Sequence, residues 1–172
     1  MRKEIYAKVC AALASIEGRS GERVVKHINL WNRNVEFIEQ ESGWERPAVF
    51  IEFGTITWRA VKDGAYVGRG QLRLHVVTDW LGSLPAMPEL DSGTSGCDDE
   101  KDAAADVWEL CVRIESVLRG LRGETFHELR LMESLTNHNH EELVETVEVY
   151  EVSGVRDMAV ATDKEVVGED DI

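Results

Sequence analysis

Residues 137 to 142 read Asn137-His138-Asn139-His140-Glu141-Glu142, a dense set of potential metal ligands. Imidazole nitrogen and carboxylate oxygen are good donors for borderline divalent ions. On an extended strand residues i and i+2 point the same way, so His138 and His140 could share one ion, with Glu141 or Glu142 beside it. The competing reading is a polar hairpin turn. Asn137 and Asn139 tolerate turn geometry, and an alternating strand pattern begins at Leu143. The letters HNH also spell a nuclease motif, but that motif needs a surrounding hairpin and helix, further ligands and basic surface. No Lys or Arg occurs between Arg130 and Arg156. The turn reading is preferred, with His138 and His140 placed to touch a neighbour.

The other candidates are thinner. His75 lies mid-strand between Leu74 and Val76 and faces away from the leucines, so it reads as a histidine on the second face of a half-buried sheet. His27 and His127 sit near element ends without a partner motif. Cys97 falls in a loop with no base nearby, which argues against a nucleophile. Glu36, Glu39 and Glu41 with Glu52 could supply paired carboxylates, though an acidic chain produces such clusters by chance. No catalytic, cofactor or metal residue is assigned, and the expectation is a protein that is not an enzyme. Aromatic residues at sheet margins are either core lids or partner contacts. Trp58 and Trp108 are assigned to the core, while Trp44 and Trp80 are balanced between core and interface. With His138 and His140, Trp44 and Trp80 form the set of interface candidates.

The elements that must position these residues follow from periodicity. Ile5, Val9, Ala12, Leu13 and Ile16 recur at helical spacing over 3–16, and Gly18 and Gly21 end the pattern. The stretches 23–31 and 34–40 read as a strand and a short strand or extended loop. From Ala48 the alternation is clear, with Val49, Ile51 and Phe53 on one face, and it continues through Leu72, Leu74 and Val76. Residues 81–99 hold two prolines and three glycines and read as a long surface loop. A helix over 100–119 carries the stripe Val107, Leu110, Cys111, Ile114, Val117 and Leu118. Two alternating strands close the domain. The order is helix, strand meander, long loop, helix, C-terminal hairpin, which gives an α+β fold: an antiparallel β-sheet with two helices packed on it. A single domain is expected over 1–153, with an acidic tail over 154–172.

Composition limits the function. Nineteen Lys and Arg against 33 Asp and Glu give a net charge of −14. The residues from Gly154 onward hold two basic and six acidic side chains, leaving about −10 on residues 1–153. Such a body repels phosphates, which excludes tight sequence-independent nucleic-acid binding. No run approaches the roughly 18 apolar residues a membrane span needs. Three cysteines without a CxxC pair suit a reducing compartment.

The pattern as a whole resembles the small tail-terminator or tail-completion proteins of long-tailed bacteriophages and prophages. The likeness rests on the N-terminal helix, "KHINLWN", the proline-led strand "PAVFIEF", "ITW", the long strand ending "LHVVTD", the helix "RIESVL" and the closing pair of strands. It covers about residues 3 to 153. It implies a non-enzymatic structural protein without cofactor, which forms a ring with itself, commonly of six subunits. Such a ring caps the tail tube, contacts tail-tube and head-connector proteins, and lets DNA pass. The implied location is the host cytoplasm during assembly and then the virion tail. Two other classes stay open on the sequence: a metal-dependent hydrolase using His138 and His140, and an acidic inhibitor or DNA mimic.

Overall fold

The computed structural model describes residues 1–18, 21–35, 43–61, 64–79, 97–137 and 143–157, without side-chain detail for 97–106 and 157. The elements are α1 (Arg2–Ala14), β1 (His27–Leu30), β2 (Ala48–Ala60), β3 (Ala65–Asp79), α2 (Cys97–Leu118), β4 (Phe126–Asn137) and β5 (Leu143–Asp157). The α+β class holds. Both helices and all five strands fall on segments where periodicity places them. The stretch 34–40, read as strand or loop, lies almost wholly outside the described residues.

The sheet corrects one expectation. Its order is β1-β2-β3-β5-β4, and it is mixed: β1 runs parallel to β2, while the other pairs are antiparallel. A hairpin turn would have forced β1 and β2 to oppose each other. Parallel neighbours need a crossover of a dozen or more residues, and the connection from Trp31 to Pro47 is long enough to return the chain to the same end. Only His27–Leu30 pair as a strand, fewer than the 23–31 expected; Arg23 instead bridges Glu17, and the Val24 N–H donates to the Ile16 carbonyl. The C-terminal hairpin is present, and its second strand β5 becomes a central strand held by both β3 and β4.

Alternation sorts the core. One face of the sheet presents Val49, Ile51, Leu72, Leu74, Val76, Tyr150 and Val152 to both helices. Helix α1 sends down Ile5, Val9 and Leu13, and α2 sends down Leu110, Ile114 and Leu118, each set one helical turn apart. Burying each such side chain contributes about 1.5–3 kcal/mol. Helix α2 stops where Gly120 takes φ 76°, the left-handed conformation glycine adopts without a Cβ penalty. The turn that follows is tied to α1: Glu4 accepts from the backbone N–H of Glu124 at 2.7 Å and of Thr125 at 2.9 Å. The Thr125 hydroxyl also donates to it, at 2.5 Å. These donors, the hydroxyl first, hold the Glu4 carboxyl at about 2, well below the ordinary carboxylate range.

The opposite face carries a smaller core of Val35, Ala48, Phe50, Val77 and Leu143, with Trp31 and Trp44 packed against it. Trp58, assigned to the core, is half-buried and belongs to neither cluster. The assignment of Trp108 to the core does not hold either, since Trp108 is 69% exposed. It follows Val107 by one residue, a step of about 100° around the helix, enough to carry it off the buried stripe.

Candidate assembly surface and buried polar clusters

The register brings one group together that single-strand patterns do not show. On β3, His75 stands opposite Phe50 of β2 and Val147 of β5, one diagonal step from Glu145. Its Nδ1 lies 2.6 Å from Glu145 Oε1, and its Nε2 lies 3.3 Å from Glu52 Oε2. A contact of 2.6 Å to a carboxylate marks a charge-assisted hydrogen bond donated by the ring. Trp31 stacks on the imidazole with centroids 3.8 Å apart and planes inclined by 1°. Asn137 Nδ2 donates to the second Glu145 oxygen at 2.7 Å, and Arg73 Nη1 donates to Glu52 at 3.2 Å. With both ring nitrogens engaged and one face covered, His75 ties three strands together and leaves no nitrogen turned toward a substrate.

Trp44 belongs to the same face. Its ring meets Phe50 edge-on at 5.0 Å and lies 6.4 Å from His27. Arg46 sits over it at 5.8 Å and pairs through Nε with Asp79 Oδ1 at 2.5 Å. Trp44 is therefore the half-buried lid of the smaller core. Trp80, His138 and His140, the other interface candidates, lie outside the described residues, as do Glu36, Glu39 and Glu41. His127 is exposed at the start of β4, and Cys97 begins α2.

A second polar cluster lies beneath α2. Glu148 is 4% exposed among apolar residues and accepts from Ser134 Oγ at 2.7 Å. Burial pushes the Cys111 thiol up to about 12, and the charge of Glu148 and a hydrogen bond to it act in the same direction. The Tyr150 hydroxyl is pushed up by burial first, then by the charges of Glu148 and Glu115. Both groups stay protonated near neutral pH, which makes Cys111 an inert thiol rather than a nucleophile. Among the described residues, no group of three or more His, Cys, Asp or Glu is placed to hold a metal ion.

The surface with the clearest unmet demand is the flank where α2 overhangs β4. Cys111 faces Glu148 of β5, so α2 presents that flank toward the β5–β4 side of the sheet. Trp108, Val112 and Glu115 lie within about 60° of one another on the same flank at 100° per residue. Trp108 is 69% and Val112 65% exposed. The adjoining strand β4 is a sheet edge and adds Leu131, exposed beside Tyr150 on the helix face, and Met132, exposed at the bulge, while Leu135, opposite Val147, is exposed on the other face with His75. Its register with β5 shifts twice, between Phe126 and Leu129 and between Leu131 and Glu133. Such bulges twist an edge away from simple strand addition, which leaves the side chains as the contact. Neither Trp108 nor the β4 residues stood among the interface candidates. Leu129 and Leu131 alternate toward the helix face, but the bulge after Leu131 turns Leu135 to the opposite face, so the sequence alternation through Leu135 does not survive in the strand.

No protein-family model matches the chain, and no curated protein matches it. Among solved structures, a chain described as "Virion of native gene transfer agent (GTA) particle" aligns with a TM-score of 0.48 at 12% identity, covering 88% of this chain and 95% of that chain. Among the described residues, no helix is long and apolar enough to cross a membrane.

Proposed function

We propose that this chain is a non-enzymatic assembly subunit of a phage or prophage tail, a tail terminator that caps the tube and forms the tail side of the head–tail joint as a ring. The observation that carries the reading is the set of exposed apolar side chains Trp108 and Val112 on α2 and Leu131 on the edge strand β4, whose partner Tyr150 faces the helices. Contiguous apolar patches on soluble proteins mark sites of association. A ring of identical copies needs two unlike surfaces that meet head to tail. The two edges of this sheet are unlike: β4 is long, bulged and apolar, whereas β1 has four residues with Leu30 exposed. The sequence resemblance to tail terminators points to the same class. A net charge of −14 fits a ring through which DNA slides without adhering.

The partners in this reading are further copies of the chain, the tail-tube protein and a head-connector protein. The protein would act in the host cytoplasm and remain in the virion tail. The test is to add the chain to tail tubes of the phage that encodes it and to image them by negative stain. Capped tube ends with wild type and bare ends with Trp108→Glu are expected. Bare ends with wild type would overturn the reading. So would a metal-dependent hydrolase activity abolished by His138→Ala and His140→Ala.

A further inference from the structure

A cleft of about 630 Å³ opens where α1 begins, lined by Arg2, Ile56, Trp58, Thr125, Val155 and Arg156 among others. Its floor depends on glycine. Trp58 stands opposite Gly68, and Gly68 opposite Gly154, in one row across β2, β3 and β5. A Cβ on Gly68 would come within 2.7 Å of the Trp58 indole, and one on Gly154 within 2.2 Å of the Thr125 carbonyl oxygen. The indole and the turn before β4 thus settle directly onto bare backbone and shape the cleft between them.

The cleft is cationic in a chain whose net charge is −14. Arg2 donates through Nη2 to the Gly54 carbonyl at 3.3 Å and lies 6.0 Å from the Phe53 ring centre. Among the described residues no ion pair engages Arg2 or Arg156. Two guanidinium groups beside an indole and aliphatic walls suit a peptide that mixes carboxylates with small apolar side chains. The segment 158–172 has that composition: five acidic residues and one lysine, with Val160, Val166, Val167 and Ile172 among them. It follows Arg156, which lines the cleft, by two residues in sequence. An extended stretch of this length reaches roughly 50 Å, well beyond what the cleft requires. A short flexible tether also holds it at an effective concentration on the order of millimolar.

We propose that this cleft is the docking site of the chain's own segment 158–172, with its carboxylates against Arg2 and Arg156 and an aliphatic side chain against Trp58. Neither the cleft nor its occupant depends on the proposed tail role.

The test uses the full chain carrying Gly168→Cys labelled with bimane, a dye quenched by contact with tryptophan, in a background with Cys10, Cys97 and Cys111 changed to Ala. Docking predicts that Trp58→Phe, or Arg2→Glu with Arg156→Glu, raises emission by about twofold or more, independent of protein concentration. Unchanged emission in both variants would overturn the proposal. Quenching that grows with protein concentration would also overturn it, because the occupant would then be the segment of a second copy. Hydrogen exchange on the chain with its native cysteines gives a second readout. Amides of 158–172 should exchange faster in the double arginine variant than in wild type, and equal rates would count against docking.

Discussion

His75 and Glu145, 70 residues apart in sequence, meet across β3 and β5 at 2.6 Å, both almost wholly buried. The pair gives the second face of the sheet a polar centre that the aromatic rings of Trp31, Phe50 and Trp44 enclose.

Removing Glu145 should therefore cost more than removing an exposed acid. Glu145→Ala removes the acceptor of the buried His75 Nδ1 and one acceptor of Asn137, and a buried donor left without its acceptor costs about 1–3 kcal/mol. Trp31→Ala should cost about 1 kcal/mol beyond its buried area. The two losses should be non-additive in a double-mutant cycle, because both act on His75. Thermal unfolding checks this, and an unchanged midpoint for Glu145→Ala would show that the contact stabilises nothing.

Acid should weaken the link between α1 and the turn at Glu124–Thr125. The folded Glu4 carboxyl titrates at about 2, against 4.5 as its ordinary value. A depressed folded value means that the unfolded chain binds the proton first as pH falls. The stabilisation is therefore complete above about 4.5 and is lost as pH drops toward 2. Urea midpoints measured from pH 2 to pH 6 should fall more steeply with acid for wild type than for Glu4→Gln. Parallel curves would contradict the role of Glu4.

Cys111 should resist thiol reagents while the chain is folded. With its thiol pushed up to about 12, the thiolate is a small fraction at pH 8, and the thiolate is the reactive form. In a Cys10→Ala, Cys97→Ala background, labelling should wait for denaturant. Labelling of the native chain as fast as a free cysteine would refute this.

How much of this was legible in the sequence differs from element to element. Ile5, Val9 and Leu13 on α1, and Leu110, Ile114 and Leu118 on α2, repeat at helical spacing and bury as that spacing demands. Leu72, Leu74 and Val76 alternate and face the helices for the same reason. Strand β1 was not legible as a parallel neighbour, because four residues carry no alternation and their partner is set by the fold of the chain that follows. The His75–Glu145 pair depends on the register between β3 and β5, which neither strand specifies alone. Trp44 could be placed only at a sheet margin; Phe50, Arg46 and His27 decide that it closes a core. Trp108 was misplaced by a single step of helical phase.

That step separates folding from association. Ile114→Ala, in the core, should cost about 2–5 kcal/mol of stability. Trp108→Ala, at 69% exposure, should stay within about 0.5 kcal/mol of wild type in the isolated subunit. Equal destabilisation by the two would mean that Trp108 belongs to the fold rather than to a contact.

Native mass spectrometry of the full chain after incubation with tail tubes, bound and unbound protein together, tests the assembly surface most directly. Wild type should appear as one discrete multiple of the 19.4 kDa subunit, and Trp108→Glu, though folded, as the single subunit. Single subunits from wild type, or the same multiple from both proteins, would contradict the assignment of the α2–β4 flank as the ring-forming surface.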